Sequence, residues 1–112
     1  MPSVIDEHLI ENATPLPPGG TVRSKVIDVG GAQHVAVNLG ITNRDAGVIR
    51  TIYFGPTTNN AFAPLRTDDF SVQNNLSTSV PVCGPMLFVI VENRGAQVHT
   101  VDGTVYAIRV VP

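Results

Sequence analysis

Residues 82–91 read Val-Cys-Gly-Pro-Met-Leu-Phe-Val-Ile-Val, the longest and most apolar run of the chain. From Met86 to Val91 no side chain is polar, so a strand here is covered on both faces, as a central strand of a packed sheet is. Gly84-Pro85 bends the chain into the run, and Glu92-Asn93-Arg94-Gly95 closes it with turn formers. The rest of the chain has to supply the cover.

Outward from this run, the segments read as strands. Val35, Val37, Leu39 and Ile41 alternate with His34, Ala36, Asn38 and Gly40, a period of two that buries one face. Thr21 to Val29 and Val48 to Phe54 are rich in β-branched and aromatic residues, and Gly30-Gly31 and Gly55-Pro56 punctuate them. Val80 to Cys83 reads as a further strand. Gln97 to Val101 and Thr104 to Val111 are expected to form a hairpin across Asp102-Gly103, the strongest short turn signal in the sequence. Ser3 to Asn12 fits a two-turn helix or an edge strand; the three prolines at 15, 17 and 18 leave the helix too short, and the strand is preferred. Residues 57–79 are mostly turn formers, with one short strand expected around Phe70 to Gln73.

Seven to eight short strands and no secure helix predict an all-β chain folded as an antiparallel β-sandwich, jelly-roll-like, with an immunoglobulin-like Greek key as the alternative. The lack of tryptophan and of a cysteine pair removes the marks of a true immunoglobulin domain. At 112 residues the chain holds one core, so 1–112 is read as a single domain with 1–20 as a candidate N-terminal arm.

Charged residues make up 14% of the chain, against about 25% in an ordinary soluble domain. The surface is therefore Thr, Ser, Asn, Gln and Gly, with little like-charge repulsion to keep copies apart. Seven basic residues and a net charge of −2 give no footprint for nucleic acid and no basic patch for a membrane surface. The opening residues lack the basic and apolar regions of a signal peptide, and the apolar run is too short to span a bilayer. Cys83 is the only cysteine; beside Val82 and Gly84-Pro85 it reads as a buried hydrophobe rather than a nucleophile.

No segment carries a catalytic, cofactor or metal signature. His8, His34 and His99 fall in separate segments without a local pair, and no cofactor is expected. The adaptable polar kit lies in 57–79, where Asn59, Asn60, Arg66, Asp68, Asp69, Asn74 and Asn75 are the candidate ligand or partner contacts. Such residues also suit calcium, though no loop motif for it is present.

The stretch Ile-Asp-Val-Gly-Gly-Ala-Gln-His-Val-Ala-Val-Asn-Leu at 27–39 and the later Val-Pro-Val-Cys-Gly-Pro-Met-Leu-Phe-Val-Ile-Val-Glu-Asn-Arg-Gly-Ala at 80–96 resemble galactose-binding-like jelly-roll sandwiches. Modules of that kind occur in phage tail, fibre and capsid-decoration proteins. The resemblance covers about half the chain and implies the fold more than an activity; no aromatic platform for sugars is evident. The first functional expectation is a non-enzymatic, self-associating structural module, a homo-oligomer or a partner of a capsid or tail scaffold in a virion or phage-like particle assembled in the cytoplasm. The second is a carbohydrate-binding or adhesion module using residues 57–79.

Overall fold

A computed structural model describes residues 2–56 and 62–110. Among them are nine strands and no helix: β1 Pro2–Leu16, β2 Thr21–Arg23, β3 Ile27–Asp28, β4 Ala32–Ile41, β5 Asp45–Gly55, β6 Ala63–Phe70, β7 Asn75–Pro81, β8 Met86–Asn93 and β9 His99–Val110. They make two antiparallel sheets. One runs β1-β9-β4-β7; the other runs β2-β8-β5-β6, with β3 also on β8. Most connections cross from sheet to sheet, and only β5 and β6 join as a neighbouring hairpin. That winding, with the first strand beside the last, is a jelly roll.

The core lies between the sheets. Val35, Val37 and Leu39 of β4 face Ile52 and Phe54 of β5 and Leu87, Val89 and Val91 of β8, all almost fully buried. The alternation read in β4 is present, with His34 exposed and Asn38 half-buried on the other face. β8 is covered on both sides, as its unbroken apolar run predicts. Its outer residue Phe88 is 4% exposed: Tyr53 stacks on it at 4.8 Å, Phe62 meets it edge-on and the Arg23 guanidinium lies over its ring at 4.2 Å.

Four segments depart from the sequence expectation. Thr21 to Val29 is two strands, because Arg23 pairs with Ile90 while Ile27 pairs with Leu87; one extra residue lies between these pairs, where Ser24 stays buried with its hydroxyl accepting the Val89 amide at 2.8 Å and Lys25 and Val26 are exposed. Asp102-Gly103 is not a hairpin. β9 is clamped on both sides, Gly103 pairing with Leu39 and with Ile10, so its two halves cannot fold onto each other. The 57–79 region holds two strands, β6 and β7, and the expected strand at Phe70 to Gln73 is largely the turn between them. There Asp69 accepts hydrogen bonds from the Ser71 amide at 3.0 Å and hydroxyl at 2.6 Å. The segment read as a strand from Val80 to Cys83 is the end of β7, which stops at Pro81. Residues 2–16, within the candidate arm, are laid as β1 along β9 and bury Ile5, Leu9, Ile10 and Leu16.

Candidate functional site

Among the described residues, the candidate contacts of residues 57–79 are spread over β6, the turn that follows it and β7. Asn59 and Asn60 lie outside the described residues. Arg66 and Asp68 share the inward face of β6, where the Arg66 Nε donates to Asp68 Oδ2 at 2.9 Å. Asp68 also accepts from Arg50 Nη2, and the same nitrogen donates to Thr78 of the opposite sheet at 3.1 Å. Asp69 caps the following turn. Asn74 donates to the Ile41 carbonyl at 3.3 Å and holds the turn against β4. Asn75 stands on the outer face of the first sheet.

Arg50 is the group the sequence concealed. It occupies an inward position between Val48 and Ile52 and is fully buried, with Nε and Nη1 unpartnered among the described residues. Burial pushes its guanidinium down from the usual arginine range, and the hydrogen bond to Asp68 opposes that. Burial likewise raises the Asp68 carboxyl, but the hydrogen bonds from Arg50 and Arg66 outweigh it and hold Asp68 below the usual value. An ion pair this enclosed, and bonded across both sheets, is a structural clamp.

Where β5 and β9 begin, His99 is 1% exposed and its Nε2 bonds Asp45 Oδ2 at 2.9 Å. That bond is the main reason the Asp45 carboxyl sits below its usual value, with the Gly47 amide adding to it. Asn93 makes a third bridge, donating to the carbonyls of Leu16 at 3.1 Å and Gln97 at 2.7 Å. The histidines therefore stay apart: His8 and His34 are exposed and His99 is buried. No three metal-ligating side chains gather among the described residues. Cys83 is exposed, not buried, because the chain leaves β7 at Pro81 before reaching it.

Two features of the first sheet's outer face were not legible in the sequence. The first is apolar. Val4 pairs with Ile108, and Tyr106 lies beside Ala36; Val4, Tyr106, Ile108 and Val110 are 60%, 44%, 52% and 65% exposed. A shallow hollow of about 420 Å³ runs from Tyr106, Ile108 and Val110 to His34 and Ser79. The second is polar and lies farther along the same strands, where Asn75, Gly40 and Asp102 stand in one row across β7, β4 and β9. Adjoining hollows of about 270 and 200 Å³ share these three residues. Only the tertiary register reveals either feature, since each draws on strands far apart in the chain.

No protein-family model matches the chain, and no curated protein matches it in sequence. Solved structures do. The SPBc2 prophage-derived protein YomS superposes with a TM-score of 0.61 at 14% identity, over 95% of each chain. The infectious bursal disease virus VP2 subviral particle gives 0.56 at 12% identity, over 96% of this chain and 33% of that one, so this chain spans about a third of the virus protein. The mitogen derived from Yersinia pseudotuberculosis gives 0.52 at 11% identity, over 99% of this chain and 88% of that one. At such identities the likeness is one of fold. No helix among the described residues is long and apolar enough to cross a membrane.

Proposed function

We propose that this chain is a non-enzymatic structural module that associates with copies of itself as a component of a virion or phage-like particle. The observation that carries the reading is the exposed apolar face formed by Val4, Tyr106, Ile108 and Val110. A soluble monomer seldom leaves such side chains contiguous on one sheet. The occupant that fits is a second copy: the patch is uncharged along β9 and is flanked by Asp6 on one side and His34 on the other. A two-fold axis along β9 sets Asp6 of each chain toward His34 of the other. The low overall charge supports association, and the names of the prophage and virus-particle neighbours are consistent with a particle component. The structural roles of Asp45, Asp68 and His99 favour a chain without catalysis over an enzyme.

Light scattering after size exclusion tests this. The wild type is expected to assemble with concentration, Ile108→Asp to remain monomeric, and Val72→Asp, which alters an isolated exposed valine (80%) elsewhere, to assemble normally. A wild type that stays a monodisperse monomer at high concentration contradicts the proposal.

A further inference from the structure

Among the described residues the two sheets end in β1, β7, β2 and β6, and three of these edges are guarded against pairing with another chain. β1 breaks register twice along β9 and carries Asp6, Glu7 and Glu11. β2 is three residues long, and β6 carries Pro64, Arg66, Asp68 and Asp69. β7 is the exception. Its residues 75–81, Asn-Leu-Ser-Thr-Ser-Val-Pro, hold no charge, they follow β4 without a register shift, and among the described residues no strand pairs with their other side. The Asn74 carbonyl accepts the Ile41 amide at 2.9 Å, and the Val82 amide donates to the Gln33 carbonyl at 2.9 Å. Backbone groups alternate sides along an antiparallel strand, so Leu76, Thr78 and Val80 turn theirs to β4. Asn75, Ser77 and Ser79 therefore turn amide and carbonyl to the open side, where Pro81 offers a carbonyl alone.

We infer that this edge pairs with β7 of a second copy, antiparallel about a two-fold axis at Thr78, joining the first sheets of two chains into one. The strand is its own complement about that residue. Ser77 meets Ser79 of the other copy, Leu76 meets Val80, and Thr78 meets Thr78, a favourable cross-strand pair. The amides of Asn75, Ser77 and Ser79 in each copy then donate to the carbonyls of Pro81, Ser79 and Ser77 in the other, and half-buried Leu76 gains cover. An axis at Ser77 or Ser79 would set an aliphatic side chain against Thr78 instead. The inference rests on the assembly reading and adds a second contact to it. Edge pairing covers little apolar surface and is weak alone, so it links dimers already made through the Ile108 face, each of which presents two such edges. A chain with two separate two-fold contacts extends into an array where one contact would stop at a dimer.

Light scattering of the wild type and Ser79→Pro over a concentration series tests this. The proline removes an amide that faces away from β4, so the ladder within the chain is kept while the edge loses a donor. The wild type is expected to grow past the dimer and Ser79→Pro to stop there, with an unchanged circular-dichroism spectrum. Should the proline variant fold poorly, cross-linking decides, in a Cys83→Ser background that removes the native exposed thiol. Thr78→Cys should form an interchain disulfide on mild oxidation, because the axis sets the two copies of residue 78 about 4.5 Å apart. Ser77→Cys, about 7–8 Å from its own copy, should not. A wild type that assembles no further than a dimer, a folded Ser79→Pro chain that assembles as far as the wild type, or a Thr78→Cys chain that cross-links no better than Ser77→Cys would overturn the inference and leave the Ile108 interface standing. A wild type that stays monomeric would remove both.

Discussion

Arg50 shows what a single side chain decides in this sandwich. A guanidinium with no exposure survives between two sheets only because Asp68 neutralises it and the Thr78 hydroxyl accepts a further hydrogen bond. Asp68→Ala leaves that charge buried and unpaired and should cost about 3–5 kcal/mol in a urea titration. The double change Arg50→Leu with Asp68→Leu should cost clearly less, because neither charge is then buried alone. The carboxyls of Asp45 and Asp68 both titrate lower in the folded chain than their usual value. A lowered folded-state value means that the unfolded chain takes up the proton first, so their stabilisation is present above about pH 4. It is lost as pH falls through the folded-state values. Unfolding midpoints measured from neutral to acid should therefore hold and then fall, and the doubly substituted Asp45→Asn, Asp68→Asn chain should show a shallower acid limb. A parallel acid limb in that variant would contradict the assignment.

At the scale of the strand, the register is set by tertiary partners that override local turn chemistry. Asp102-Gly103 has every mark of a tight turn, but Gly103 serves a different end. Leu39 Cδ2 lies 2.5 Å from where a Cβ would be, so the glycine makes room for a core leucine. Gly103→Val should force Leu39 out of place and cost about 1–3 kcal/mol by overpacking, measured by thermal unfolding. β1 carries the opposite case. It breaks register between Ile10 and Thr14, and Ala13 holds φ +59° there, a conformation that costs an L-residue about 1–2 kcal/mol. Ala13→Gly is expected to leave stability unchanged or raise its melting temperature, whereas Ala13→Val should lower it. The misread of 63–70 has a related cause: β6 is an edge strand, exposed over most of its length, and charged edge strands carry the composition of loops.

For the whole molecule, the pairing of β1 with β9 joins the two ends of the chain. Residues 2–12 bring Ile5, Leu9 and Ile10 into the core, and each is worth about 2–5 kcal/mol when truncated in such a place. Deleting them should abolish cooperative unfolding rather than release a dispensable arm, as followed by circular dichroism in urea. A deleted chain that still unfolds cooperatively would show that β1 is an addition to a self-sufficient sandwich. The same strand forms one border of the apolar face through Val4, so fold closure and association share an element. The polar row of Asn75, Gly40 and Asp102 crosses β7, β4 and β9 farther along the same sheet.

By itself the amino-acid sequence determined the class of fold. The unbroken run from Met86 to Val91 and the alternation from Val35 to Ile41 record, residue by residue, which faces lose contact with water, and burial is written locally in hydrophobicity. Tertiary structure alone decided the winding of the strands and the rows that cross them. The Arg50 clamp, the apolar face and the polar row through Gly40 each depend on residues from distant strands brought into register, and no local pattern encodes which strand lies beside which.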